Sequence, residues 1–505
     1  MTFQPGQFSK LYLSLLLACL TPFAIAASGK KTVKSAPAHG HRPVASAHKT
    51  SATGARKSGH AVQSRTSVKG SSKGNARGKK ARIPRTLRTI HVSPVVRENA
   101  VQRVEANLTA SAISPFLYPS QLHQFFKALD FEQNERTVAA PGTAATTVRI
   151  LQFGDSHTAA DIFTGAMRAH LQEQFGDGGL GFQFPGHPFA GYHLAGSLRS
   201  QSAGWTTEGN HFTALGDGDL GLGGISIATE QPAQAITLET TCTTLQLHYL
   251  QQPGGGRLQF SDNGAVVSTI ETATADATAA NSAGTFTYSC SAGQHDFEFT
   301  TLDQAPVKLL GVVSEQPGVT YECLGINGAI APLMLRWNQE LFANYLRQRA
   351  PDLIVLAYGT NEAGSSAEHL ESYPEEFGRL IENLHRIVPD ASVLVIGPED
   401  RATVSHRAWH PFTGIDRIVS MQKEACRTHG CAFWDARRRM GGFGSMQQWV
   451  AAGWAQPDRT HLTGTGYREL ADALYADLIH AYNLNQQHPE IPVQESRIGK
   501  APRNP

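Results

Sequence analysis

The sequence predicts an α/β fold. A parallel sheet is covered by helices on both faces in a three-layer domain, interrupted by an inserted all-β sandwich and preceded by a disordered basic arm. Three observations predict it. Short apolar runs alternate with amphipathic stretches at 147–175 and again from 319 to 482, the pattern of strands buried on both faces and joined by helices. Between those stretches helical periodicity disappears, and Thr-rich alternating segments are separated by Gly, Asn and Pro turns. The first 97 residues hold 18 of the 44 Lys and Arg and none of the 42 Asp and Glu, so a basic tail precedes an acidic body. At 505 residues the chain is long enough for one large domain and a smaller one.

Residues 1–26 read as an export signal. Lys10 supplies the positive flank, 11–25 is an apolar run, and Ala24-Ile25-Ala26 is a small-x-small cleavage site. The competing reading is a membrane anchor, but the run is short for a span of ~20 residues and Pro22 interrupts it. Cys19 also admits lipidation, although the apolar run continues past it. Residues 27–113 carry almost no large apolar side chains in their basic stretch, so they cannot bury enough surface to order and read as a disordered basic linker. That linker is either a solvated spacer or a polycationic arm for an anionic envelope surface. Export argues against nucleic acid as its partner. Cys242 with Cys290 and Cys426 with Cys431 are two pairs able to form disulfides in an oxidising compartment, and Cys323 is left as a buried thiol.

The body begins near residue 114. Leu122, Phe125, Phe126 and Leu129 give helical spacing over 118–130. A strand over 147–153 leads to a helix over 161–175, and the first part of the α/β domain runs from 114 to 195. Residues 177–193, rich in Gly, Phe and His, either line a binding surface or form a packed loop. The β insertion is expected at 196–312. The second α/β part, 313–484, holds strands at 319–324, 353–358, 392–396 and 432–434 and helices at 332–350, 374–387, 418–429 and 466–482. Residues 485–505 read as a flexible tail.

In an open parallel sheet, ligands sit beyond the carboxyl ends of the strands. Three predicted strands end in polar-glycine segments there: Gly154-Asp155-Ser156-His157, Asn327-Gly328 and Gly359-Thr360-Asn361-Glu362. A fourth segment, Asp458-Arg459-Thr460-His461, precedes the last helix. A serine hydroxyl is a weak nucleophile until a base takes its proton. Ser156 at a strand-to-helix turn supplies the hydroxyl, His461 the base and Asp458 the acceptor that fixes the imidazole tautomer. The backbone N–H groups of Ser156 and Gly328 and the Asn361 amide supply an oxyanion hole. Each piece alone has an ordinary reading, as a turn, a cap or a positive-φ glycine. Their order and their placement at strand ends favour the catalytic one.

These four segments resemble the blocks of the SGNH (GDSL-type) hydrolase superfamily, with Ser156, Gly328, Asn361 and His461 in its four named roles. Phe153 to Asp161 (FGDSHTAAD), Leu324 to Ala329 (LGINGA), Tyr358 to Ala363 (YGTNEA) and Asp458 to Thr463 (DRTHLT) resemble a narrower group, the exported bacterial peptidoglycan O-acetylesterases. His157 stands where the commoner Gly-Asp-Ser-Leu form has Leu. The resemblance spans roughly 114–482 and implies a carbohydrate-binding-like β-module between the first two blocks. It implies a periplasmic or envelope-associated serine esterase that needs no metal or organic cofactor. Its substrate would be an acetyl ester on cell-wall glycan, namely the 6-O-acetyl of N-acetylmuramic acid. An acetylesterase or acetyltransferase of another exopolysaccharide would use the same residues. A non-catalytic wall-binding protein is the third reading, and the intact set of five residues argues against it.

Overall fold

The computed structural model describes residues 92–110, 115–138, 147–189, 192–209, 215–406 and 408–487. The expected signal, most of the basic arm and the end of the C-terminal tail lie outside the described residues. No helix among the described residues is long and apolar enough to cross a membrane.

A six-stranded mixed sheet forms the centre. In spatial order its strands are Phe116–Leu117, Ala432–Trp434, Ser392–Ile396, Leu353–Ala357, Thr147–Gly154 and Gly318–Gly325. All neighbours are parallel except the first pair, Phe116–Leu117 against Ala432–Trp434. Strand Thr147–Gly154 lies between Leu353–Ala357 and Gly318–Gly325, where the strand order reverses direction. A crevice opens at such a switch point beyond the carboxyl ends.

Both faces of the sheet are buried, as the continuous apolar runs require. Within Thr147–Gly154, Ile150 packs into one core while Leu151 and Phe153 pack into the other. The first core takes Phe163, Met167 and Leu171 from helix Ile162–Phe175 and Leu470, Leu474 and Leu478 from helix Gly464–Gln487. The second takes Leu341, Phe342 and Leu346 from helix Gln339–Arg349. It also takes Phe377, Leu380 and Ile381 from helix Ala367–Ile387, and Ile415 and Ile418 from helix Gly414–His429.

Several expectations are corrected. The linker expected over 27–113 ends earlier than that, because Pro94–Thr109 is a helix capped by Ser93 whose Ala100, Val104 and Leu108 enter the core. One apolar residue per turn sufficed, a stripe too thin to stand out beside a basic low-complexity stretch. The helix expected from residue 374 starts at Ala367 behind an Ser366 cap and carries Pro374 inside it. A proline removes one backbone hydrogen bond, and the buried face that includes Tyr373, Phe377 and Leu380 outweighs that loss.

The inserted region expected as a β-sandwich is all-β among the described residues. Nine strands form one hydrogen-bonded antiparallel sheet built on Ala235–Gln251 and Ser282–Thr301. It also starts before residue 196 and ends after residue 312, since Gly179–Gln183 pairs with Val307–Glu315. Glycine-rich 179–183 lacks the β-branched signal of a strand. Part of this sheet joins the second hydrolase core through Phe182, Phe184, Leu222, Leu250 and Val313. The remainder has its own core, with Trp205, Phe260, Phe297 and Phe299. Cys426 and Cys431 are disulfide-bonded. Cys242 and Cys290 stand as thiols with their sulfurs 3.8 Å apart, and Cys323 is buried with its thiol donating to the Thr158 carbonyl at 3.1 Å.

Candidate active site

Strand Thr147–Gly154 ends at the switch point and turns straight into Ser156. The turn requires glycine at 154, because a Cβ there would overlap Thr158 and crowd the carbonyl of Ala357. Asp155 then caps the turn, its Oδ1 accepting from His157 N–H at 2.9 Å. The helix that follows, Ser156–Ala159, is only four residues long. Any helix dipole at the nucleophile is therefore slight, because a macrodipole needs aligned turns. What remains is a free Ser156 N–H, which bonds no other described residue.

Three residues from two chain-distant segments meet here. Ser156 Oγ lies 2.9 Å from His461 Nε2, and His461 Nδ1 lies 2.7 Å from Asp458 Oδ2. The loop that presents Asp458 and His461 is closed at its base, where Gln456 N–H donates to His461 O at 2.8 Å and Ala455 bridges Leu462. Asp458 Oδ1 also accepts from the N–H groups of Thr460 and His461, each at 3.0 Å. With Nδ1–H given to Asp458, Nε2 is left to accept the Ser156 proton.

The other expected oxyanion donors, Gly328 and Asn361, lie on loops tied to one another and to Asp155. Gly328 sits in a turn with φ +76°, a value that favours glycine, and its N–H bonds no other described residue. Asn361 Nδ2 donates to the Ala329 carbonyl at 2.9 Å and more loosely to Asp155 Oδ2 at 3.3 Å. The first bond locks the Gly328 turn to the Asn361 loop. The second is long enough to yield to a substrate oxygen.

Charge in the site follows from these contacts. The hydrogen bond to Asp458 pushes His461 above its usual range; burial opposes this, and the charges of Asp458, Asp155 and Glu399 add to the rise. Burial pushes Asp458 up, but the hydrogen bonds from the His461 ring and from two backbone N–H groups outweigh it and hold the carboxyl at about 2.

A buried layer behind His461 was not foreseen from the sequence. His157 stacks on the His461 ring, with centroids 5.2 Å apart and planes at 27°. Its Nδ1 lies 3.1 Å from Tyr467 Oη and 3.5 Å from Glu399 Oε1. Burial pulls His157 below its ordinary range and pushes Glu399 up to about 7. Glu362 is likewise pushed up to about 7 by burial while it accepts from Ala331 N–H at 2.9 Å, holding the chain just past Gly328. Glu399 had a visible signal: Gly397-Pro398-Glu399-Asp400 is one more polar segment after a strand, Ser392–Ile396, on the same rim.

Residues 289–469 match the model of the GDSL-like Lipase/Acylhydrolase family, a span that includes Gly328, Asn361, Asp458 and His461. The chain carries a GDSL-like hydrolase domain. The match begins inside the β insertion, within strand Ser282–Thr301, so Ser156 lies before it in sequence. A solved structure of a peptidoglycan O-acetylesterase is 25% identical with a TM-score of 0.58, covering 72% of this chain and 96% of that one. A family two carbohydrate esterase from Clostridium thermocellum, in complex with cellohexaose, is 14% identical with a TM-score of 0.25, covering 55% of this chain and 99% of that one. A salicylyl-acyltransferase from a tetracycline biosynthetic pathway is 15% identical with a TM-score of 0.26, covering 56% and 97%. No curated protein matches. The GDSL-like domain makes this protein a carboxylic ester hydrolase.

Proposed function

We propose that this protein is an exported serine O-acetylesterase of cell-wall glycan, acting on the 6-O-acetyl group of N-acetylmuramic acid in peptidoglycan. The observation that carries the reading is the continuous relay Asp458–His461–Ser156, with bonds of 2.7 and 2.9 Å at the switch point of a GDSL-like domain. The 25% identity to a peptidoglycan O-acetylesterase over 72% of the chain supports the substrate. The Cys426–Cys431 disulfide suits an oxidising compartment, in keeping with residues 1–26 as a removed signal. In this reading the basic arm holds the enzyme near anionic envelope polymer, and the β-module between the two hydrolase parts contacts glycan.

The chemistry proceeds in two halves. Ser156 Oγ attacks the acetyl carbonyl carbon while its proton passes to His461 Nε2. The carbonyl oxygen becomes an oxyanion, which the N–H groups of Ser156 and Gly328 and the Asn361 amide stabilise. Collapse breaks the ester bond, and His461 returns the proton to the departing sugar alkoxide. Water, deprotonated by His461, then attacks the acetyl-serine; the acyl–oxygen bond breaks, acetate leaves and His461 returns the proton to Ser156 Oγ. Asp458 stays ionised and stabilises the imidazolium formed in each half.

Acetate release from O-acetylated peptidoglycan, acetylated xylan and acetylated chitin oligomers tests this. The expected result is release from peptidoglycan by the wild type and none by Ser156→Ala. Release from none of the three rejects the esterase reading. Release from xylan or chitin alone rejects the peptidoglycan assignment.

A further inference from the structure

A two-stranded hairpin, Ala402–Ser405 with Ala408–Pro411, follows the carboxyl end of strand Ser392–Ile396 and lies on the same rim as the relay. It is tied to two loops of the site. Ala402 N–H donates to the Arg459 carbonyl at 3.1 Å, joining the hairpin to the loop of Asp458 and His461. Arg401, at the hairpin's entrance, donates to the Thr360 carbonyl at 3.4 Å, beside Asn361. Each tie brings an arginine against an aromatic ring. The Arg459 guanidinium lies 4.2 Å from the ring centre of Trp409, and that of Arg401 lies 4.8 Å from the ring centre of Phe412.

Neither guanidinium has an acidic partner among the described residues, although acids stand next to both in sequence. Asp458 is committed to His461 at 2.7 Å, Asp400 to Arg437 at 3.1 Å, and Glu399 faces His157 at 3.5 Å. The Nε atoms of Arg401 and Arg459 are buried without a hydrogen-bond partner among the described residues, while Arg459 Nη1 donates within its own loop to the Pro457 carbonyl at 2.8 Å. Arg401 and Arg459 are half-buried, whereas two fully buried arginines of this fold are neutralised: Arg168 pairs with Asp161 at 2.7 Å and Arg349 with Glu315 at 2.6 Å. Arg459 also holds φ +66°, a left-handed conformation that strains a residue with a side chain and that tends to persist at functional loops.

A guanidinium presents a rigid planar fork matched to a carboxylate, and an aromatic face beneath it fixes that plane while leaving the charge unspent. Two such groups beside an ester-cleaving relay call for an anionic ligand there. We infer that Arg401 and Arg459 recognise a carboxylate carried by the glycan next to the acetylated sugar. The substrate class is then the acetyl ester of an acidic, carboxylate-bearing glycan, with Trp409 and Phe412 as its apolar floor. This inference rests on the esterase reading and adds to it what the hairpin selects.

The test compares soluble fragments of O-acetylated peptidoglycan with the same fragments after their carboxylates are reduced to alcohols. For the wild type, KM on the carboxylated form is expected to be on the order of tenfold lower, the worth of one charge-assisted hydrogen bond. Arg459→Gly suits the loop's positive φ, and Arg401→Ala lies outside that loop. Each is expected to raise KM on the carboxylated form by on the order of tenfold, with a much smaller change in kcat, and to narrow the preference. Added salt should narrow the wild-type preference in the same direction. A wild type that treats the two glycans alike, or variants that keep its preference, overturns the inference while the esterase reading stands. Absence of acetate from both glycans overturns the esterase reading and the inference with it.

Discussion

A histidine base works only while its accepting nitrogen is unprotonated. The Asp458 contact favours the protonated ring, so His461 must lose its proton at a pH above the ordinary histidine value of about 6.5. The acid limb of kcat/KM is therefore expected with its midpoint above that value. Asp458→Asn removes both the charge and the acceptor that raise His461, so the limb should move to lower pH. It should also lower kcat by up to ~10⁴-fold, through loss of the productive tautomer. An Asp458→Asn profile that keeps the wild-type midpoint would show that the carboxylate does not govern this base. Asn361 has a different signature. In the proposed mechanism its amide serves the oxyanion, and it also pins the Gly328 turn through Ala329. Asn361→Ala is expected to cost ~10²–10³-fold in kcat with a smaller change in KM, read from initial rates on a small acetyl ester. A loss confined to KM would place the amide in substrate binding instead.

Single elements carry the site only because their backbones approach closely. Gly154 ends its strand against Thr158 and Ala357 O, and Gly325 ends the neighbouring strand against the backbone of Ala159. Gly154→Ala must push the Ser156 turn away from the sheet. The expected result is a loss of about 1–3 kcal/mol in stability from overpacking, read from the denaturant midpoint, together with reduced kcat. An unchanged midpoint would mean the turn has slack that its packing does not show. The strands bearing these glycines were legible because a strand buried on both faces is a continuous apolar run, as in Leu353–Ala357. The residues at their ends were legible because glycine, Asp, Ser and Asn interrupt such runs abruptly. The Pro94–Thr109 helix was not, since its buried stripe is only Ala100, Val104 and Leu108. The 402–411 hairpin and the His157–Glu399 layer were also missed. The hairpin's strands are only four residues each, and stacking and burial join His157 to residues far away in the chain, so only the polar segment around Glu399 left a local mark.

At the scale of the whole molecule, the sequence separates the β region from the hydrolase because their periodicities differ, while the packing joins them. Phe182, Phe184 and Leu310 share one apolar core with Phe342 and Leu346 of a hydrolase helix. Tyr345 from that helix places its hydroxyl 2.7 Å from Tyr249 O and 3.0 Å from Gly284 O, both in the β sheet. Arg349, also buried, pairs with Glu315 at the end of a β-module strand and with Glu322 in the central sheet. These contacts leave no plane along which the β sheet can be pulled away without exposing apolar surface and stranding a buried charge. Unfolding is therefore expected as a single calorimetric transition for residues 92–487. Arg349→Ala leaves buried Glu322 without its ion-pair partner, while Glu315 keeps Arg149 at 2.9 Å, and costs about 3–5 kcal/mol, the penalty of an uncompensated buried charge. That variant should lower the midpoint of the one transition without splitting it. Two resolved transitions in the wild type would instead make the β region an independently folding insert, and the shared core would then be a docking surface between separate units.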